Sequence, residues 1–113
     1  MDFPAILKGW IERVFSAGFA WDVDMDGLAG RLKGRLPLFK LKKALSIATT
    51  HRSEEDYEAS GFKDAMEKIT VDYALKYPGI AQTELVLLYS VGVFDEETRK
   101  GYLDKAYRLG KDF

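Results

Sequence analysis

Two short apolar runs, each followed by a helical pattern, constrain the fold of this chain most strongly. Ala44 to Thr50 is apolar at most positions and ends in hydroxyl residues, and Glu84 to Val91 repeats this character nearer the end of the chain. Such runs are typical of strands that are buried on both faces of a parallel sheet. Because strands that alternate with helices favour right-handed crossovers, the sequence predicts a parallel α/β sheet.

Three helices complete the predicted order of elements. Residues from Pro4 to about Ser16 are apolar at helical spacing, and Trp10 on this stripe is expected to face a core. A second helical pattern runs from Phe62 towards Pro78, which ends it, and Asp95 is a candidate cap for the third helix. The apolar stripe of the third helix comprises Tyr102, Leu103, Ala106, Tyr107 and Leu109.

The remaining segments contain turn residues and no clear period. Residues 18–43 include glycines and a proline, which predict a long loop of a length that is usually functional or disordered. His51 to Gly61 predicts a polar loop, and Gly92 to Phe94 predicts a turn. Since two strands alone do not form a sheet that buries both faces, we expect residues 1–113 to form one partial α/β domain.

Composition and charge exclude several classes of function. Seventeen basic and 18 acidic side chains give a formal net charge of -1, which provides no field to attract nucleic acid or an anionic membrane. Cysteine is absent and histidine occurs once, so cysteine catalysis, disulfides and a multi-histidine metal site are excluded. Without a run near the roughly 20 apolar residues of a spanning helix, and without a signal peptide, we expect a cytoplasmic protein.

Polar residues at the predicted strand ends form the candidate binding site. In an open parallel sheet, ligands lie at the carboxyl ends of the strands. Thr49, Thr50, His51 and Arg52 follow the first strand and supply two hydroxyls, an imidazole, a guanidinium and several backbone N–H groups. Such a turn can bind an anion or a heteroaromatic edge, but a polar loop that satisfies its own backbone explains it equally well.

Further candidates lie on both sides of this strand. Tyr57 can donate a proton or simply pack, and the acidic residues around it are either a cation site or, as we favour, surface charge. Phe19 and Trp21 fall outside the stripe of the first helix and are candidates to stack on a planar ring. His51 is a candidate proton carrier, although a lone loop histidine is usually a surface residue.

Four segments resemble those of flavodoxin-like NAD(P)H:quinone oxidoreductases. The segment FPAILKGWIERVF, at residues 3–15, resembles the family's MPAILKGWIDRVF helix, and GFAW at 18–21 resembles the GFAY that follows it. KKALSIATT at residues 42–50 is similar to the family strand KKALLSVTTGG, and YSVG at 89–92 is similar to its last strand. The resemblance extends along essentially the whole chain.

This resemblance implies a partial flavodoxin-like parallel sheet, containing the last two strands with three helices. The first three strands and the phosphate loop of the family are expected to be absent. The family binds FMN or FAD and transfers a hydride from NAD(P)H through the flavin to a quinone. The implied cofactor-binding residues are Thr49, Thr50, His51 and Arg52. The implied catalytic residues are Tyr57 and Lys63, and the implied substrate-binding residues are Phe19, Trp21 and Val23.

The sequence departs from the family at three of these positions. The family's paired glycines are His51 and Arg52 here, which either hinder the approach of a flat ring or replace backbone contacts with side-chain contacts. Lys63 stands where the family has a histidine, and a lysine is a poor proton shuttle at neutral pH. The alternative function is a non-enzymatic assembly or regulatory module that forms a homodimer or pairs with a separate N-terminal half.

Overall fold

A computed structural model describes residues 3–92 and 95–113 of the chain. Of the predicted turn at residues 92–94, Val93 and Phe94 lie outside these described residues. The helices are α1 (Ala5–Val14), α2 (Met25–Leu28), α3 (Glu54–Ala59), α4 (Phe62–Glu67) and α5 (Glu96–Lys111), with a 3-10 turn at Leu32–Gly34 and a π-helix at Lys68–Leu75. The strands are β1 (Trp21–Val23), β2 (Arg35–Pro37), β3 (Lys43–Thr49) and β4 (Gln82–Leu88).

The chain divides into two compact units. The first comprises Met1–Ala44 and Val71–Thr83, and the second comprises Leu45–Thr70 and Glu84–Phe113. The expectation of one domain over residues 1–113 stays a prediction. In the described part of the chain, no helix has the length and apolar character needed to cross a membrane.

An antiparallel hairpin occupies much of the segment for which the sequence predicts a long loop. In the first unit β1 pairs with β2, with Asp22 opposite Leu36. The connection between them is compact because the Asp24 carboxylate accepts hydrogen bonds from the N–H groups of Asp26 and Gly27. A Cβ at Gly34 would lie 1.9 Å from the Gly27 nitrogen, so this close approach requires glycine. The loop prediction is therefore wrong for residues 21–37.

The parallel pairing predicted for the two apolar runs is confirmed. In the first unit Gln82 donates its N–H to the Lys42 carbonyl at 3.0 Å, and in the second Thr50 donates to the Leu88 carbonyl at 2.8 Å. Both strands therefore advance in the same direction. The expectation of burial on both faces is wrong, because β3 is half-buried or exposed throughout and Leu88 is the only buried residue of β4. Within the described residues this sheet has two strands, too few to cover its own faces.

The polar segment after β3 contains the helix α3, so the loop predicted for residues 51–61 is wrong at Glu54–Ala59. Ser53 caps α3 by accepting the N–H of Asp56 on its hydroxyl, and three acidic residues in the first turn complement the helix dipole. Tyr57, inside this helix, is 2% exposed and contributes to the small core of the second unit. Gly61, with φ +73°, separates α3 from α4.

The three predicted helices are confirmed, but the exposure of their stripes differs from expectation. Trp10 is 55% exposed, so its assignment to a core is wrong in the described structure. On α5, Asp95 caps the helix by accepting the Glu97 N–H, whereas Leu103 and Tyr107 on the predicted apolar stripe are exposed. The second helix continues from α4 as the π-helix and ends before Pro78, as predicted.

Candidate functional site

The carboxyl end of β3 forms a rigid turn, which we call the strand-end turn (Thr50–Arg52). Thr50 accepts the N–H of Val91 on its carbonyl at 2.9 Å, and the Arg52 carbonyl accepts the N–H of Ser90 at 3.1 Å. The hydroxyl of Thr50 donates a hydrogen bond to that same Arg52 carbonyl at 2.9 Å, and Thr50 is a buried residue. Together with the bond from the Thr50 N–H to β4, these contacts fix the backbone of the turn.

Residues after β4 complete this arrangement. Ser90 adopts φ 55°, a left-handed conformation that is uncommon for a residue other than glycine. The carbonyl of Tyr89 accepts a hydrogen bond at 2.8 Å from the hydroxyl of Tyr102 on α5. The end of β4 is therefore held on one side by the strand-end turn and on the other by α5.

Two backbone donors of the turn are available to a ligand. Within residues 3–92 and 95–113, the N–H groups of His51 and Arg52 form no hydrogen bond with the protein. Both residues are exposed. Adjacent backbone N–H groups are suited to contact an anion or the oxygen and nitrogen atoms at the edge of a planar ring.

The His51 imidazole lies directly against Gly92. A Cβ placed on Gly92 would come within 2.1 Å of Nδ1 and 2.5 Å of Cε1 of His51. The ring therefore occupies space that any other residue at position 92 would fill with its own side chain. This contact joins the ends of β3 and β4 through a side chain as well as through the backbone.

Tyr57 lies in an aromatic cluster of the second unit. Its ring meets those of Phe62 and Tyr89 edge to face, each with centroids 5.8 Å apart. Burial raises the pKa of Tyr89 above its ordinary value, and the positive charge of Lys63 partly offsets this effect. The cluster surrounds Tyr57 with apolar ring edges beside the end of β4.

Lys63 on α4 is held by two carboxylates of α3. Its ammonium lies 2.8 Å from Glu58 and 3.3 Å from Glu54. The hydrogen bonds that Lys63 donates to Glu58 and, to a smaller extent, to Glu54 raise the pKa of Lys63 above its usual range. Lys63 therefore carries a positive charge at neutral pH, and two of the acidic residues around Tyr57, Glu54 and Glu58, form ion pairs with it. Among the described residues, no group of three metal-ligating side chains is close enough to hold a metal ion.

The three candidates from the first unit lie around its hairpin. Trp21 donates its indole N–H to the Phe15 carbonyl at 2.8 Å and packs edge to face on Tyr77 at 5.4 Å. Phe19 is 62% exposed and contacts Phe39 at 5.7 Å between centroids. Val23 is half-buried.

The structure thus places the nine candidates in two groups. Those of the second unit follow β3 within one turn and two short helices: Thr49, Thr50, His51, Arg52, Tyr57 and Lys63. The first unit holds Phe19, Trp21 and Val23.

Four residues that shape the strand ends were not among the predicted site residues, although the sequence analysis had placed the first three at the end of the second strand: Tyr89, Ser90, Gly92 and Tyr102. The one available signal was the glycine after the second strand, because the close approach of another group is a common reason for glycine near a strand. Tyr102 was counted as part of an apolar stripe, and its hydroxyl contact with β4 has no counterpart in the sequence pattern.

Comparison with known proteins identifies the family. The family described as having a flavodoxin-like fold matches residues 1–109 of the chain. The chain belongs to this flavodoxin-like family. The predicted flavodoxin-like α/β fold class is confirmed by this match and by the structural similarity below.

The relatives of this flavodoxin-like chain are named as NAD(P)H oxidoreductases or dehydrogenases. An uncharacterized NAD(P)H oxidoreductase of Haemophilus influenzae is 28% identical over 94% of the chain, which covers 49% of that relative. NAD(P)H dehydrogenase [quinone] 1 of Cavia porcellus is 36% identical over 79% of the chain, covering 31% of the relative. The solved NAD(P)H:quinone oxidoreductase from Methanothermobacter marburgensis superposes with a TM-score of 0.81 at 27% identity, over 96% of this chain and 51% of that one. The chain therefore spans about half the length, or less, of these relatives.

Proposed function

We propose that this chain forms the ring-binding part of a flavin-dependent NAD(P)H:quinone oxidoreductase. The observation that carries the proposal is the strand-end turn, in which the N–H groups of His51 and Arg52 have no acceptor among the described residues, in a chain similar to an NAD(P)H:quinone oxidoreductase of known structure. In parallel α/β sheets, this end of the strands is where ligands bind. The bound flavin would supply the hydride chemistry, and the protein would supply orientation and electrostatics.

The residues of the turn fit the polar edge of a flavin ring. The N–H groups of His51 and Arg52 point to no protein acceptor among the described residues and are preorganised by the bonds of Thr50 to β4. A fixed donor loses little entropy when it binds, so these groups favour a flat ligand with acceptors along one edge. Thr49 is exposed on the last position of β3 and extends the same edge. FMN and FAD share this ring, so the turn accepts either.

We assign a hydrogen-bonding cation beside the ring to Lys63, and a buried supporting position next to it to Tyr57. A lysine is protonated at neutral pH, and the hydrogen bonds to Glu58 and Glu54 raise the pKa of Lys63 further. We therefore assign Lys63 as a hydrogen-bond donor to a ring or quinone oxygen and not as a proton shuttle. Tyr57 is held by Phe62 and Tyr89. We assign it to the border of the place where NAD(P)H and the quinone would exchange, as the family resemblance implies.

The substrate side is assigned to the first unit. Phe19 and Trp21 offer aromatic surface to a planar quinone, and Val23 offers apolar surface at the end of β1. The phosphate of the flavin is assigned to the other half of the fold, since the chain corresponds to about half of its relatives. Binding to this chain alone is then expected to be weak.

A titration with FMN and FAD tests this proposal. The chain is titrated alone and again with the N-terminal half of the Methanothermobacter marburgensis relative, and flavin fluorescence and NAD(P)H oxidation with a quinone acceptor are followed. We expect weak binding alone and tight binding with turnover when both halves are present. No flavin binding and no NAD(P)H oxidation by the folded pair would refute the proposal. Tight binding by the chain alone would refute the division of ring and phosphate between the halves.

A further inference from the structure

We propose that Tyr102 on α5 is a positioning residue for the strand-end turn. Its hydroxyl holds the peptide unit between Tyr89 and Ser90, and this unit in turn holds the carbonyl of Arg52. The inference rests on the proposed function, because the ring is the ligand assigned there to the turn. Tyr102 thus contributes to the affinity for a ring through the backbone of β4 and not by contact with the ligand.

The peptide unit between Tyr89 and Ser90 is held on both sides. Its carbonyl accepts a hydrogen bond from the hydroxyl of Tyr102 at 2.8 Å, and its N–H donates to the Arg52 carbonyl at 3.1 Å. In a planar trans peptide the C=O and N–H groups point in opposite directions, so the two bonds lie on opposite sides of one rigid plane. The Tyr102 hydroxyl therefore helps to fix the direction in which the Ser90 N–H points.

The left-handed backbone of Ser90, with φ 55°, aims two successive N–H groups at the turn. Ser90 donates to the Arg52 carbonyl, and Val91 donates to the Thr50 carbonyl at 2.9 Å. In an extended strand successive N–H groups point to opposite edges, whereas a left-handed residue allows them to point the same way. A residue other than glycine keeps this conformation only where its surroundings hold it, and the bond from Tyr102 is such a contact.

These bonds also orient the ring-binding donors. The Thr50 carbonyl and the His51 N–H belong to one peptide unit, so the bond from Val91 fixes the direction of that N–H as well. The Arg52 N–H follows it and precedes the carbonyl that Ser90 holds. Without the α5 hydroxyl the turn spends less time in this backbone conformation, and a ligand that needs the conformation binds more weakly.

The same helix offers two controls. Tyr107 is 70% exposed, and its hydroxyl forms no hydrogen bond within the described part of the chain, so Tyr107→Phe makes the same chemical change away from β4. Asp95→Asn removes the carboxylate that caps α5 but leaves the hydroxyl of Tyr102 in place. It therefore separates the stability of the helix from the position of the turn.

The first measurement is amide hydrogen exchange by NMR on the folded chain without a ligand. We expect Tyr102→Phe to accelerate the exchange of the Ser90 and Val91 amides about twofold to tenfold relative to the interior amides of β4. Tyr107→Phe should leave this ratio unchanged, and Asp95→Asn should accelerate all of these amides by a common factor.

The second measurement is the affinity for riboflavin, which carries the ring without a phosphate. We expect Tyr102→Phe to bind it about twofold to fivefold more weakly than the wild-type chain, and both controls to bind it as the wild-type chain does. The amide signals of His51 and Arg52 should shift in Tyr102→Phe and not in Tyr107→Phe.

The outcomes separate this inference from the proposed function. An unchanged exchange ratio in Tyr102→Phe, or an unchanged riboflavin affinity despite faster exchange, would overturn the positioning role. Equal weakening by Asp95→Asn would also overturn it, since the effect would then follow the stability of α5. Faster exchange as expected, with no binding of riboflavin, FMN or FAD by any variant or by the wild-type chain paired with the other half of the fold, would support the hold of Tyr102 on the turn and refute the ring site.

Discussion

Thr50 is a single buried hydroxyl on which the geometry of the strand-end turn depends. It is 3% exposed, and its hydroxyl donates to the Arg52 carbonyl at 2.9 Å. Thr50→Val keeps the shape of the side chain but removes this bond, so we expect a loss of about 0.5–1.5 kcal/mol in the free energy of unfolding. Urea denaturation followed by circular dichroism measures it.

Thr49→Val is the matched control for this change. Thr49 is exposed, and within the described residues its hydroxyl forms no hydrogen bond, so its replacement should alter stability by less than about 0.5 kcal/mol. Equal losses for the two variants would show that the effect does not come from the hydrogen bond of the Thr50 hydroxyl.

Lys63 illustrates how one substitution redirects the chemistry of a position. The resemblance implies a histidine at this place, and histidine titrates near neutral pH. Lysine, paired with Glu54 and Glu58, instead provides a permanent charge. The sequence alone identified the change of residue and the loss of a group that titrates near neutral pH, whereas the ion pairs of Lys63 with two carboxylates of α3 are a property of the tertiary structure.

At the scale of the element, α1 is confirmed as a helix but its apolar stripe is not covered by the described residues. Trp10 is 55% exposed and meets Phe15 edge to face at 5.8 Å. Trp10→Ala should therefore cost about 1 kcal/mol, well below the about 3–5 kcal/mol of a fully buried tryptophan. A loss in thermal or urea unfolding that matches the buried value would contradict this exposure.

The two tryptophans give a second measure of the same difference. Trp21 is half-buried and donates its N–H to Phe15, whereas Trp10 faces solvent in part. The Trp21→Phe variant reports the fluorescence of Trp10, and the Trp10→Phe variant reports that of Trp21. We expect the fluorescence of Trp21→Phe to lie at longer wavelength and to be quenched more strongly by acrylamide. The opposite order would place Trp10 in the more protected environment.

Asp95 sets the start of α5 and makes the helix sensitive to acid. Hydrogen bonds from the Thr98 hydroxyl and the Glu97 N–H lower the pKa of Asp95 below its ordinary value. A lowered pKa contributes stability that is present above the pKa of the unfolded chain and is lost as the pH falls through that of the folded chain. Asp95→Asn should therefore be less stable than the wild-type chain at pH 7 and equally stable at the acid end.

Asp104→Asn is the control for this pH dependence. Asp104 is exposed in the middle of α5, away from the positive end of the helix dipole. Its replacement should leave the difference between neutral and acid stability unchanged. Urea midpoints recorded from pH 7 down to about 2 measure both variants, and parallel curves for Asp95→Asn and the wild-type chain would contradict the role of the charge.

For the whole molecule, the open edge of β3 and the apolar residues left exposed predict self-association. Within the described residues β3 pairs only with β4, and Ile47 on β3 is 40% exposed. An unpaired apolar strand edge favours pairing with another chain, and a second copy would extend the sheet to four strands. Sedimentation velocity from low to high micromolar concentration should show a dimer that accumulates with concentration.

A charge on this strand should oppose the association. We expect Ile47→Lys to shift the equilibrium towards monomer, while the same substitution at Ile6, which is 86% exposed on α1, leaves it unchanged. Circular dichroism confirms that both variants fold. A well-folded wild-type monomer at high micromolar concentration would refute self-association, and equal effects of the two lysines would locate it away from β3.

The elements that local sequence signals determine were largely predicted from the sequence. The apolar runs that become β3 and β4, the end of the second helix before Pro78 and the cap at Asp95 depend on residues within a few positions of one another. The family resemblance likewise rested on contiguous segments, above all residues 3–15, and was confirmed over residues 1–109. The nine candidate site residues stay a prediction.

Only the tertiary structure decided the features that depend on contacts between distant residues. The hairpin of β1 and β2 requires Gly34 to meet Gly27, and the exposure of Trp10 depends on what other elements leave uncovered. The contact of His51 with Gly92 joins residues 41 positions apart, so no local pattern contains it. Local propensity and periodicity report which face of an element is apolar, whereas its burial and its contacts arise from packing, which is a property of the whole chain.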